Sequence, residues 1–469
     1  MLLLPSARTS GQDAGSGVER FERTAEQIRR ETNAQALKER PPGQRALIDY
    51  GGYLTFSYLS FDDQENHNHA FRGYDLVGYA RVNLDDAHDF YLRGRLEYHD
   101  FNAGDSFRNE SDHLEARVEE AYYRFNLAAY NATQSGQLNR DSNLVVQVGR
   151  QFQPWANGLV LSQYVDGGRV LIERGILSLE LQAAVTAYDL TVDFDGSRPG
   201  FEEETRRAFY GALLSARLGA HRPFVYAMLQ RDHNDEGPEA IGPIPTRFRY
   251  NSHYLGAGIN GSLGDGVSYG AELVYEGGST LSSSFNADTL RPASQESDDI
   301  SAYAGEFHLD YLFGDTHRSR LGAGILFASG DADRGDSSNT FAGNRAGTTD
   351  TGFNALGFIN DGLAFSPTFS NLIVLRGTAS TYPLPSVEPF RQLQVGAEVF
   401  GFAKLRRSGA IDEPSENSRY LGWEPDLFLN WQVTEDVTLV MRYGVFFPGD
   451  ALSSSEHRQF FYAGLTYAF

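Results

Sequence analysis

Residues 437–469 read VTLVMRYGVFFPGDALSSSEHRQFFYAGLTYAF, and their alternation decides the fold. Within 437–447, Val437, Leu439, Met441, Tyr443, Val445 and Phe447 fall on one face, and Thr438, Arg442 and Gly444 on the other. A period of two with one apolar and one polar face marks a β-strand between unlike surroundings. A strand buried in a sandwich has no place for Arg442; a strand between lipid and a wet lumen does.

The same pattern extends in both directions. The last stretch sets Phe461, Ala463, Leu465, Tyr467 and Phe469 on one face and stops at that aromatic residue, an ending similar to the assembly signal of outer-membrane barrels. Upstream, in 177–190, Leu179, Leu181, Ala183, Val185 and Ala187 oppose Ser178, Glu180, Gln182, Thr186 and Tyr188. Segment 266–277 directs Glu272 and Glu276 inward, and 391–406 directs Gln394, Glu398, Lys404 and Arg406 inward. Continued from 46–60, through a short strand at 168–174, to 458–469, the alternation predicts an all-β transmembrane barrel of about 18 antiparallel strands. Its connections alternate too. LDDAH, RGIL, GAHR, LGDG, FGDTHRS and VTED are short, whereas SFDDQENHNHA, DFDGSRPGFEEE and the run from Gly330 to Phe369 are long. Short periplasmic turns against long extracellular loops are the asymmetry of a barrel in the outer membrane of a Gram-negative cell.

The barrel is expected over 44–469. Residues 1–16 form a leader with a very short apolar run and no basic start, and the charged 17–43 read as a periplasmic amphipathic helix or a disordered segment. No apolar run approaches the length of a membrane helix. Aromatic content of 13%, with 25 Tyr and 32 Phe, suits interfacial girdles in contact with lipid and lipopolysaccharide. A net charge of -22 disfavours nucleic acid, which needs clustered basic residues. With no cysteine, thiolate metal sites and disulfides are excluded.

Several stretches resemble the alginate-export family of outer-membrane porins. The most specific is GWEPDL at 422–427 followed by RYGVFFPGDA at 442–451 and the aromatic last strand; weaker echoes are EEAYY at 119–123, VGRQ at 148–151, GAGILFASGD at 322–331 and FSNL at 369–372. The resemblance implies an eighteen-stranded export barrel with an arginine-bearing pore. By position it implies that Arg150 and Arg442 are pore arginines and that Glu120, Glu424 and Asp426 are the matching acids. Alternation independently turns Glu424, Asp426 and Arg442 inward. It turns Arg150 outward unless Gly149 is a bulge, and Glu120 has a similar register problem beside Glu119. The family's long final periplasmic turn is here only VTED. Occlusion would then fall to the loop Gln153–Gly167, entering through Trp155, or to the amino-terminal segment.

The charge expected in the lumen is mixed. Arg81, Arg93, Arg95, Arg207, Arg217, Arg376, Lys404, Arg406 and Arg442 face Asp75, Glu97, Glu180, Glu272, Glu276, Glu306, Asp310, Glu398, Glu424 and Asp426. Neighbouring opposite charges pair and stiffen a wall more than they project a field. In RGRLEYH at 93–99 the stripe Arg93, Arg95, Glu97, His99 is either a constriction contact for carboxylates and sugar hydroxyls or a partner of Glu115 or Glu119. His67, His69 and His113 have no serine signature beside them, so no catalytic residue is assigned. Asp331, Asp333 and Asp336 read as a solvated loop, with no metal and no cofactor. The sequence therefore points to a passive channel for a polysaccharide or small polar or anionic solute, possible periplasmic export partners included, with a plugged structural barrel as the alternative.

Overall fold

The computed structural model describes residues 46–469 apart from 66, 103–104, 106–112, 136–140, 189, 192–204, 235–238, 242–243, 287–288, 290, 335–342 and 358. The predicted leader and the 17–43 segment lie outside the described residues.

Eighteen antiparallel strands close on themselves. In chain order they are β1 Ala46–Asp62, β2 Asn68–Leu84, β3 His88–Phe101, β4 His113–Asn126, β5 Ser142–Pro154, β6 Ser162–Arg174, β7 Leu177–Thr186, β8 Arg207–Ala216, β9 His221–Asp232, β10 Arg249–Leu263, β11 Val267–Leu281, β12 Ser297–Leu312, β13 Arg320–Ala328, β14 Leu372–Thr381, β15 Leu393–Lys404, β16 Tyr420–Gln432, β17 Val437–Pro448 and β18 Arg458–Ala468. Each pairs with the next, and β1 pairs with β18 from Tyr53 opposite Ala468 to Phe61 opposite Phe460. Reciprocal bonds between the backbones of Gly52 and Phe469 finish the seam. Closure matters because lipid offers no partner to an open strand edge.

Alternation holds as the sequence requires. Ile48, Tyr50, Leu54, Phe56, Leu181, Val185, Leu465 and Tyr467 are exposed on the outer surface, while Thr55, Ser57, Gln182, Thr186, Glu424 and Arg442 are buried within. The sequence placed the wall well and its ends less well. Strand β6 starts at Ser162 rather than near 168, because Ser162–Gly167 pair with Gly149–Pro154 of β5. On the short-loop side, the β4–β5 connection carries a helix, Leu127–Ser135, where Asn126 Oδ1 accepts from Ala129 N and Asn143 Oδ1 from Ala128 N. Arg217 and Arg406, expected inward, lie past the ends of β8 and β15 and are exposed; there the strand period no longer governs direction.

The core of the molecule is inside the barrel. Two loops turn inward and supply it: the β5–β6 tip, with Trp155, Leu159, Val160 and Leu161, and the β13–β14 loop, with Phe353, Leu356, Leu363 and Phe365. They pack on inward residues such as Phe209, Met228, Tyr254, Phe402 and Phe446.

Candidate functional site

On one side of the lumen, β2 to β6 carry a ladder of opposite charges. Arg93 and Arg95 alternate with Leu92, Gly94 and Leu96, so both side chains enter the lumen, as do Glu97 and His99. Opposite them β4 has a bulge: Arg93 pairs with Glu120 and Gly94 with Val118, leaving Glu119 as the extra residue. The bulge resolves the register problem of Glu119 and Glu120, since both reach Arg93, with Nε 2.7 Å from Glu119 Oε2 and Nη1 3.2 Å from Glu120 Oε1. Arg95 Nη2 sits 2.7 Å from Asp75 Oδ1 and 2.7 Å from Glu97 Oε1, and Nη1 lies 3.4 Å from Glu119 Oε1. His99 Nε2 adds a 3.0 Å contact to Glu97. Arg81 holds Asp89 through two bonds of 2.7 Å, and Arg117 pairs with Glu115. Of the two acids expected as cross-strand partners of the 93–99 stripe, Glu119 contacts Arg93 and Arg95, and Glu115 pairs with Arg117.

Arg150 joins this region from the neighbouring strand. Gly149 has φ of +131°, and a Cβ there would lie 2.2 Å from the Ala121 carbonyl oxygen, so only glycine fits. There is no register shift, and Arg150 stays on the face of Val148, opposite Asp166, which it grips through Nε and Nη2 at 2.8 Å each. Arg150 Nη1 also donates to the Val118 carbonyl at 3.1 Å. That contact marks where β5 leaves β4, because their pairing runs only from Asn126–Val145 to Ala121–Arg150. Above it the β5–β6 hairpin leans inward. Tyr164, outward by alternation, is buried, and its hydroxyl accepts from Arg93 Nη2 at 2.7 Å.

Around the rest of the lumen, inward carboxylates hold the two inturned loops. Glu272 accepts from Asn157 N at 2.9 Å and from the Tyr226 hydroxyl at 2.5 Å. Glu276 accepts from Asn354 N at 2.8 Å and from the Tyr250 hydroxyl at 2.6 Å. Glu424 takes three consecutive loop amides, Leu363 and Ala364 on Oε1 at 2.6 and 2.7 Å and Phe365 on Oε2 at 2.8 Å. A buried backbone needs acceptors, and charged ones are the strong ones. The loops also hold each other, since Ser162 N donates to Leu356 O at 2.9 Å. Phe365 stacks on Phe446 with centroids 4.2 Å apart.

Asp426 lies beside Glu424 on β16, and Arg442 stands one strand over, bonded to Asn430 Oδ1 at 2.8 Å and set over the Phe428 ring at 5.4 Å. Arg93, Arg95 and Arg150 thus gather around residues 118–120, while Arg442 sits four strands away along the wall from β3. Among residues outside the strands, Asp350 is enclosed by its own loop against Arg334; burial pushes its carboxyl up to about 6, with the guanidinium pulling the other way. Asp331, expected to be solvated, is buried and accepts from Asp333 N at 2.8 Å and Thr351 N at 3.0 Å; Asp336 lies outside the described residues. His69 is enclosed between Asp105, 2.6 Å from Nδ1, and Asp63, 3.2 Å from Nε2, and so ties two extracellular loops. No group of three or more potential metal ligands occurs among the described residues.

The wall carboxylates Glu272 and Glu276 were legible as inward residues but not as loop anchors. Trp155 gave the one local signal, a large apolar side chain in a loop that otherwise reads as extracellular.

A sequence profile of the family described as alginate export matches residues 179–465. In structure the chain is similar to Pseudomonas aeruginosa OccK11 (OpdR), at 15% identity and TM-score 0.52, over 90% of this chain and 96% of that one. It is also similar to Pseudomonas aeruginosa OpdK, solved with vanillate, at 10% identity and TM-score 0.53, over 90% and 98%. OccK8 (OprE) of the same organism gives 12% identity and TM-score 0.53 over the same shares. At such identities these likenesses concern the fold. No curated protein matches the chain in sequence.

Proposed function

The chain belongs to the alginate export family, and on that premise we propose that this outer-membrane channel passes saccharide-type solutes along the β2–β6 ladder, recognised by hydroxyl contacts more than by net field. The observation that carries the reading is the composition of the ladder. Arg81, Arg93, Arg95 and Arg117 interleave with Asp75, Asp89, Glu97, Glu115, Glu119 and Glu120, so donors and acceptors alternate and acids outnumber guanidiniums. Such a wall can exchange its internal bonds for those of a polyhydroxyl solute at little cost, because each displaced donor or acceptor finds a sugar hydroxyl. A polyanion would need an excess of fixed positive charge to be drawn in, and the ladder has none. Glu120, Arg93 and Arg95 are the proposed solute contacts, and the inturned loops set the width of the passage; Arg150, on the face of the exposed Val148, is not among them. Glu424, Asp426 and Arg442 contribute to the lumen by shaping that loop boundary.

Planar-bilayer recording tests this. The reading expects a small zero-current potential in a KCl gradient and concentration-dependent current block by neutral oligosaccharides. Strong anion selectivity with block by oligouronates alone would overturn it in favour of polyanion export. A folded barrel that never conducts would favour the second reading, a structural or surface-interaction barrel, which the filling of the lumen by Trp155, Phe353 and Phe365 supports.

A further inference from the structure

The two ends of the plug are held differently. At the β11 end, Glu272 and Glu276 each share their carboxylate between one loop amide and one tyrosine hydroxyl, inside the largest apolar cluster, with Trp155, Phe353 and Leu356 packed around them. At the β16 end, Glu424 alone accepts Leu363, Ala364 and Phe365, and a second carboxylate stands next to it. Asp426 is 3% exposed, and neither of its carboxylate oxygens finds a donor among the described residues. Both carboxylates converge on Gly444: a Cβ there would lie 2.4 Å from Asp426 Oδ1 and 3.1 Å from Glu424 Oε1, and also 3.1 Å from Leu363 Cβ. The remaining charged groups facing the pair are Glu398 on β15, Arg442 on β17 and Arg458 on β18, the last engaged by Glu413 through two bonds of 2.7 and 2.8 Å.

We infer that the plug is hinged at β11 and latched at Glu424, with Asp426 as a built-in opponent of the latch that lets residues 363–365 leave the wall while the Trp155–Phe353 end stays seated. A carboxylate that accepts three amides is a strong anchor. A second carboxylate pressed against it, without a donor of its own, raises the cost of the latched state and not of the released one, in which Asp426 can reach water. The two acids are neighbours on one strand face and therefore act with opposite sign. Glu424 is a positioning residue for the passage, and Asp426 sets how readily it opens. The inference rests on the barrel being a channel, but its test reads ion current alone and does not depend on which solute is carried.

Single-channel recording in planar bilayers separates the two roles. Glu424→Gln keeps the shape but turns one acceptor into a donor facing loop amides, and is expected to raise the open-to-closed ratio about tenfold. Asp426→Asn removes the opposing charge and can donate to Glu424, and is expected to lower that ratio. Asp310→Asn, which touches Arg320 and neither loop, serves as the control for lost lumen charge. Migration as a compact barrel on unheated gels establishes that each variant is folded; if Glu424→Gln fails that check, Asp426→Asn still decides through its predicted decrease. Shifts of the same sign in Glu424→Gln and Asp426→Asn, or no shift in Asp426→Asn, overturn the latch.

Discussion

Two sides of one lumen use the same residue type for different ends. From β2 to β6, acids are spent on guanidiniums: Asp75, Glu97 and Glu119 converge on Arg95. From β11 round to β16, acids are spent on backbone: Glu272, Glu276 and Glu424 hold loops that come from 78 and about 60 positions away or further. The difference lies in whether loop backbone reaches the acid, since the acids of both sides are buried. Where it does, amides are the partners; where it does not, the wall neutralises itself across strands. The first side keeps exchangeable polar contacts for a solute, and the second builds the obstruction that makes them matter.

The comparison can be broken most forcefully by removing the obstruction. Replacing residues 352–365 with a short Gly-Ser linker deletes Phe353, Leu356, Leu363 and Phe365 from the lumen. Conductance is expected to rise ~3-fold or more, as an unplugged barrel of this strand number approaches an open pore; an unchanged conductance would mean that the loops do not set the passage.

On the other side, Arg95→Ala leaves Asp75, Glu97 and Glu119 facing one another in a nearly buried cluster. Breaking a buried network from one side costs about 3 kcal/mol, so the unfolding midpoint followed by heat-modifiable gel migration should fall. Adding Glu119→Gln should restore part of it. Equal stability of all three proteins would show that the ladder is not a coupled network.

Gly149→Ala probes the kink where β5 leaves β4. A side chain at φ of +131° and 2.2 Å from the Ala121 oxygen forces the backbone to shift, a strain of about 1–3 kcal/mol. The Arg150 contact to Val118 should loosen and the unfolding midpoint should fall; an unchanged midpoint would show that the kink is not needed.

A further effect is on pH. The carboxyl of Asp350 in its enclosed place titrates at about 6, against 3.8 as its ordinary value. A raised value means that protonation favours the docked loop, so this contribution is full below about pH 4 and is lost as pH rises through 6. It amounts to roughly 2–3 kcal/mol at most. Protease protection of the β13–β14 loop should decline between pH 4 and 7, and Asp350→Asn should flatten the decline; a mutant that keeps the same slope would assign the titration elsewhere.

Much of this was legible in the sequence because a barrel strand writes its two surroundings at every second residue. Val437 to Phe447 and Phe461 to Phe469 gave the wall, the seam and the direction of Arg442, Glu424 and Asp426. Local irregularities showed as conflicts: Glu119 beside Glu120 became a bulge, and Gly149 became a kink that leaves Arg150 on the face of Val148. What could not be read was the partner of an inward acid. Nothing near Glu424 announces amides some sixty residues away, and the β13–β14 loop has no periodicity from which to predict its path. Arg217 and Arg406 were misplaced because alternation says nothing once the strand has ended.

The central claim, that inward acids divide between solute contact and plug anchoring, is tested most directly by two substitutions of equal charge. Single-channel currents of Glu120→Gln and Glu424→Gln should be compared with and without a neutral oligosaccharide. The account predicts that Glu120→Gln leaves the open-to-closed ratio near that of the parent and changes the solute concentration for half block, whereas Glu424→Gln raises the ratio and leaves half block unchanged. If both substitutions alter the same quantity in the same direction, the lumen responds to charge alone and the division does not exist.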